Sequence, residues 1–290
     1  MLQIGGIAFV FIMVFGGFAL AGGHFEVIIH ALPFEMMMIG GAATGAFLVS
    51  NSATNVKATL ASFGKVVGGP KWKPSDYTDL LCLLYLLTKL MKQKGVIALE
   101  SHIEKPQESA IFSRYPKIMK DHFALHFICD TLRMMTMNFE DPHQVEDAME
   151  KQLEKHHHEA EGPAHAMQSM ADALPALGIV AAVLGVVKTM SAITDPPEIL
   201  GSMIGSALVG TFLGVFLAYG MVGPIAARLK QIGDEEVQYY YIIRDVLVAH
   251  LHGNAAQISV EIGRGNVPTS AQPSFYQLEE SIQEIPPEVG

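Results

Sequence analysis

Three groups of side chains in this sequence have types and spacings suited to chemistry. His122 and His126 stand at i, i+4, which places both on one face of a helix, but no third ligand follows at a comparable spacing. His156, His157 and His158 are consecutive, so on a helix they point in different directions and make a poor ligand set. Lys92, Lys94, Glu100 and Glu104 gather around a turn after a leucine-rich run, where they form either a solvated face or a charged docking surface. No metal site is expected from these spacings. The chain has no G-x-S-x-G, Walker loop, dinucleotide fingerprint or HExxH motif, so the sequence gives no support to an enzyme or a resident cofactor. A net charge of -10 argues against a nucleic-acid partner, whose phosphates would need a surplus of Lys and Arg.

The elements that must carry these residues are mostly apolar. Half of the 290 residues are hydrophobic and the mean hydropathy is +0.31, too apolar for an ordinary soluble domain. A helix needs about 20 apolar residues to cross a hydrocarbon core of roughly 30 Å. Four stretches come near that length: Leu2 to Ala21; Met36 to Ser50, extended upstream by Leu32, Pro33 and Phe34; Ala173 to Val187; and Leu200 to Ala227. The first has no basic residue before or within it, so it reads as a true span rather than a cleaved leader. Leu80 to Leu87 is as apolar but too short, and it reads as the buried helix of a soluble domain, with Ser75 as its N-cap. Cys82 and Cys129 fall in that domain and are expected to be reduced, small, buried residues.

The fold class expected is therefore all-α: an integral membrane protein with four transmembrane helices and a helical cytoplasmic domain inserted between the second and third. The hairpin His24 to Pro33 has no Lys or Arg, whereas the segment between the second and third spans holds most of the basic residues, and Arg228, Lys230, Arg244 and Arg264 follow the fourth. Cytoplasmic termini follow from the positive-inside tendency, with Lys188 the exception that can snorkel to the headgroups. Residues 1–52 then hold spans one and two, 53–170 the cytoplasmic domain, 171–227 spans three and four, and 228–290 a cytoplasmic helix and tail. That tail is expected to have little order beyond about Glu280.

As read, all four spans are free of ionisable groups in their middles. A protein that moves ions normally holds such a group at membrane depth, so either this chain moves none or a partner supplies a carboxylate. Gly178, Ala182 and Gly185 recur near helical spacing, and Gly201/Gly205 and Gly210/Gly214 each form a GxxxG, which implies close helix packing within the chain or between copies. Pro175 opens the third span and Pro224 lies near the end of the fourth; each weakens its helix locally, as a hinge or only as a shaper of packing. Thr211 and Tyr219 are polar side chains deep in the fourth span that could line a wet path, although Thr211 could instead bond back to its own helix.

Leu174 through Val187, and Val209-Gly210-Thr211-Phe212-Leu213-Gly214 followed by Leu217-Ala218-Tyr219-Gly220, resemble the third and fourth spans of the MotA-type flagellar stator proteins. The resemblance continues through Asp79-Leu80-Leu81, Leu99-Glu100, Pro106-Gln107-Glu108-Ser109, Tyr115-Pro116 and Pro273-Ser274-Phe275, and so covers essentially the whole chain. It implies a ring, five copies around two copies of a single-span MotB-like partner whose aspartate binds the ion, set in the lipid of the bacterial inner membrane. It also implies that Pro175 and Pro224 couple ion passage to the cytoplasmic domain, and that Lys92 and Glu100 engage the rotor protein FliG. Lys92 keeps the charge of an Arg in the enteric form without its planar fork of donors, and Gln152 occupies a position that is acidic in the family. Ala182 and Thr211 resemble the proton-using members. ExbB or TolQ-type subunits usually have three spans, so the Leu2 to Ala21 run separates this chain from them; a self-sufficient transporter is the more distant alternative.

Overall fold

The computed structural model describes residues 2–137, 139 and 141–286, and among these it is built of helices. The order is α1 (Leu2–Leu20), α2 (Glu26–Glu35), α3 (Gly41–Ser50), α4 (Ala53–Gly68), α5 (Pro74–Lys94), α6 (Glu100–Glu104), α7 (Pro116–Lys120) and α8 (His122–Thr136). After these come α9 (Pro142–Ser191), α10 (Pro197–Leu217), α11 (Gly223–Leu251), α12 (Ala256–Gly265) and α13 (Phe275–Gln283). Two π-helical turns, Met36–Gly40 and Ala218–Val222, join α2 to α3 and α10 to α11. Among the described residues, four continuous helices are long and apolar enough to cross a membrane: Leu2–Leu20, Glu26–Ser50, Pro142–Ser191 and Pro197–Leu251.

Two compact units emerge, one of residues 1–69 and 160–233, the other of residues 70–159 and 234–290. In the first, α1 buries none of its side chains, while its Phe11 and Phe15 meet Phe216 of α10 edge-on at 5.1 and 5.4 Å. Ile39, Ala43, Leu174, Ala181, Leu213 and Ala218 form a small core among the other apolar helices. Ser52 caps α4 by accepting the amide of Asn55 at 3.2 Å.

The second unit has a large hydrophobic core. α5 buries Leu80, Leu81, Leu83, Leu84, Leu86 and Leu87. Its single tryptophan, Trp72, stacks on Tyr239 at 3.8 Å. Around that stack, Lys71 pairs with Asp121 and Lys117 with Asp76, and Tyr240 donates to Asp121 at 3.1 Å. Cys82 and Cys129 are buried and unpaired, and burial pushes each thiol up to about 12, so both are inert at neutral pH.

Two expectations are corrected here, the cap of α5 and the start of the second apolar helix. α5 starts at Pro74, and Asp76, not Ser75, closes its first turn by accepting the amide of Lys73 at 2.6 Å; a proline at the first position leaves the capping to the residues around it. The last described helix of the tail ends at Gln283, near the expected limit of order, and Ser274 and Gln277 form a reciprocal capping box at its start; residues 287–290 lie outside the described residues. The second apolar helix begins at Glu26, so most of the expected hairpin is helical and Glu35 lies inside the span.

Candidate functional site

Glycine sets the geometry where α9 meets α10. A Cβ on Gly214 would lie 2.6 Å from the Leu174 carbonyl oxygen and 2.9 Å from the Gly178 Cα, and one on Gly178 would lie 2.8 Å from the Gly210 oxygen. Further along, a Cβ on Gly185 would come within 2.6 Å of Ala207. Of the two packing modes open to these small residues, the one seen is within the chain, backbone on backbone. Gly201 has nothing near it and does not share this role.

The candidate pathway residues fall into two groups. Pro175, Ala182 and Thr211 are half-buried along the glycine seam: Pro175 follows the buried Leu174, Thr211 follows Gly210, and Ala182 follows Ala181, which would touch a Cβ on Gly210 at 3.2 Å. Thr44 and Thr189 donate back to their own helices at 2.8 and 2.9 Å, but among the described residues Thr211 makes no such bond, which leaves its hydroxyl available to water or an ion. Tyr219 and Pro224 line a separate cavity of about 300 Å³ beside Gln3 and Val10 of α1. Tyr219 is 74% exposed and sits in the π-helical turn that precedes Pro224. Proline lacks the amide that would continue an α-helical ladder, and the wider turn is one way a helix absorbs that loss.

Glu35 is a buried candidate-site residue that the sequence reading missed. It is 5% exposed, ten residues into Glu26–Ser50, and immediately precedes the first π-helical turn. The clue was length: Met36 to Ser50 spans only about 22 Å at 1.5 Å per residue, too little for a membrane unless the helix extends back through Glu35.

In the other unit, Gly95 ends α5 with φ +81, a conformation that favours glycine, and turns the chain toward α6. Lys92 near the end of α5 and Glu100 at the start of α6 are both exposed on either side of that turn. Lys92 reaches the Gly253 carbonyl at 3.4 Å, whereas Glu104 is held by Arg133 at 2.8 Å and is the less free of the acidic pair. Gln152 is exposed on α9. The histidines divide as their spacing implied: His156 stacks on Phe123 at 3.7 Å, His157 lies 3.7 Å from Asp234, and His158 is exposed. His122 and His126 stack on each other at 6.3 Å and belong to no cluster of three potential metal ligands among the described residues.

Apolar helices packed through glycine, with a buried carboxylate among them and a separate helical unit bearing exposed charges, fit the class of helical membrane proteins. Residues 4–95 match the family model for the motility protein A N-terminal region, and residues 119–241 match that of the MotA/TolQ/ExbB proton channel family. Motility protein A of Salmonella typhimurium is 40% identical over 272 residues, which cover 94% of this chain and 92% of the relative. The fold is similar to that of C. jejuni MotAB, with TM-score 0.72, 18% identity, and coverage of 94% of this chain and 98% of that one. It is also similar to that of the flagellar MotAB stator complex from Bacillus subtilis, with TM-score 0.67, 22% identity, and coverage of 89% and 92%. The chain belongs to the motility protein A branch of the MotA/TolQ/ExbB proton channel family.

Proposed function

We propose that this chain is a flagellar stator subunit that forms a proton channel with a MotB-like single-span partner and converts proton flux into torque on the FliG rotor protein. The observation that carries this reading is the 40% identity to a motility protein A over nearly the whole length of both chains. The match of residues 4–95 to the motility protein A N-terminal model favours it over an ExbB or TolQ-type subunit. Five copies surround two partner helices in the bacterial inner membrane, with the four apolar helices crossing it and both termini in the cytoplasm.

Protons pass beside the α9–α10 seam, where Ala182 and Thr211 face the partner's aspartate, and Tyr219 lies further along the path. Protonating that aspartate removes a charge at membrane depth and changes which helix arrangement is favoured. One charge crossing 100 mV releases about 2.3 kcal/mol, a population shift of roughly fiftyfold, which is enough to bias one step of a ring. Pro175 and Pro224 are the points at which the helices yield. Lys92 and Glu100 meet complementary charges on the rotor.

Proton flux and swimming in a host lacking its own motility protein A, supplied with this chain, test the reading. Both must require the partner and the partner's aspartate. Flux carried by this chain alone would replace the stator reading with that of an autonomous transporter.

A further inference from the structure

The stator reading assigns the ion to a carboxylate on the partner, yet this chain buries one of its own in an apolar helix. Glu35 lies about 14 Å along Glu26–Ser50 from its first residue, near the middle of the span. Its Oε2 is buried and has no hydrogen-bond partner. Gly210 makes room for it: a Cβ there would come within 2.6 Å of Oε2. The seam glycine thus admits a carboxylate next to Thr211 as well as a neighbouring helix.

The carboxylate borders a pocket of about 360 Å³ whose polar wall comprises His30, Lys188, Ser202 and Ser206. These are the titratable and polar groups that line the pocket together with Glu35. His30 is on its own helix, Lys188 is on α9, and α10 contributes the two serines and no titratable group. An unpaired carboxylate at membrane depth is costly, so it persists where it exchanges a cation with a wet cavity. The π-helical turn that begins at the next residue breaks the regular ladder beside it, a distortion common at functional sites.

We propose that Glu35 is a proton-binding station of this chain: its carboxylate takes a proton from water in the pocket, becomes the neutral acid, and releases the proton toward the Thr211 side of the seam. The proposal rests on the stator reading and adds a second carboxylate to the path. The pocket serines and the ammonium of Lys188 order the water that delivers the proton, and Lys188 stabilises the ionised state between transfers.

Two measurements on the complex with its partner, in native membranes, decide it. Dicyclohexylcarbodiimide adds a protonated carboxylic acid across its N=C=N group with no other reactant, so mass spectrometry of the wild-type chain reads the protonation of Glu35 directly. Labelling of Glu35 that falls as pH rises and is unchanged by sodium at fixed pH is expected. Absent or pH-independent labelling, or protection by sodium, would overturn the proton site. In the second measurement, E35Q is expected to lower proton flux by about tenfold or more while the complex still copurifies, and E35D to retain most of the flux. Wild-type flux in E35Q sinks the proposal and leaves the stator reading standing, whereas a wild-type complex that conducts no protons sinks the stator reading itself. If E35Q fails to assemble, the labelling of the wild-type chain gives the answer.

Discussion

In the unit of residues 1–69 and 160–233, helices meet through Gly178, Gly185, Gly210 and Gly214, and α1 fully buries none of its side chains. In the unit of residues 70–159 and 234–290, a leucine-rich helix is enclosed by aromatic rings and ion pairs. The same chain thus uses two different means of cohesion. Lipid gives apolar side chains no reason to leave it, so helices there cohere by close backbone contact, for which small residues are required. Water does give them that reason, and at about 25 cal/mol per Å² the buried leucines supply the drive. Glycine in the first unit therefore has a role that leucine fills in the second.

The sharpest test of that contrast is to remove bulk from one unit and add it to the other. Phe112→Ala empties a fully buried site and is expected to destabilise the second unit by about 3–5 kcal/mol. The fluorescence of Trp72, the chain's sole tryptophan, reports the loss during denaturant unfolding of the full chain in detergent. Gly214→Ala adds one methyl group against backbone atoms that have nowhere to move. It is expected to cost about 1–3 kcal/mol and to lower the amount of chain recovered in the membrane. Gly201→Ala, in open space on the same helix, should instead be neutral or slightly stabilising, by about 0.5–1 kcal/mol. Equal losses at the two glycines would break the seam argument.

A smaller effect separates the units by pH. Burial holds His156 and His250 below the ordinary imidazole value of 6.5, and for His250 the charge of Lys92 adds to the shift. Below that value the unfolded chain binds protons that the folded unit refuses. Stability is therefore full above pH 6.5 and declines as pH falls toward the lowered values. Unfolding midpoints followed through Trp72 should drop across that window, and His250→Gln should flatten the slope.

The smallest expected change in stability has the largest functional consequence. Reversing both charges proposed to meet the rotor, Lys92→Glu with Glu100→Lys, alters exposed side chains and should shift unfolding by no more than about 0.5 kcal/mol. Swimming torque should be lost and its salt sensitivity changed. Unaltered torque in that double variant would remove both residues from the rotor contact.

Length and hydropathy sufficed to show the helical class, the four apolar stretches and the buried helix at Leu80 to Leu87, because the cost of crossing lipid is nearly additive along a helix. The divergence of His156, His157 and His158 was likewise a matter of helical period. What the period does not carry is which partner each small residue faces. Gly201/Gly205 and Gly210/Gly214 are the same motif in sequence, yet Gly214 abuts the backbone of α9 and Gly201 abuts nothing. Glu35 shows the same limit from the other side. By type it reads as a polar end to a hydrophobic run; only the placement of α9 and α10 against its helix, with Gly210 making room, turns it into a buried carboxylate within an apolar helix. Sequence determines which segments leave water, since that depends on each residue's own transfer free energy. Tertiary structure alone decides what an ionisable side chain meets there, since that depends on atoms contributed from more than a hundred residues away.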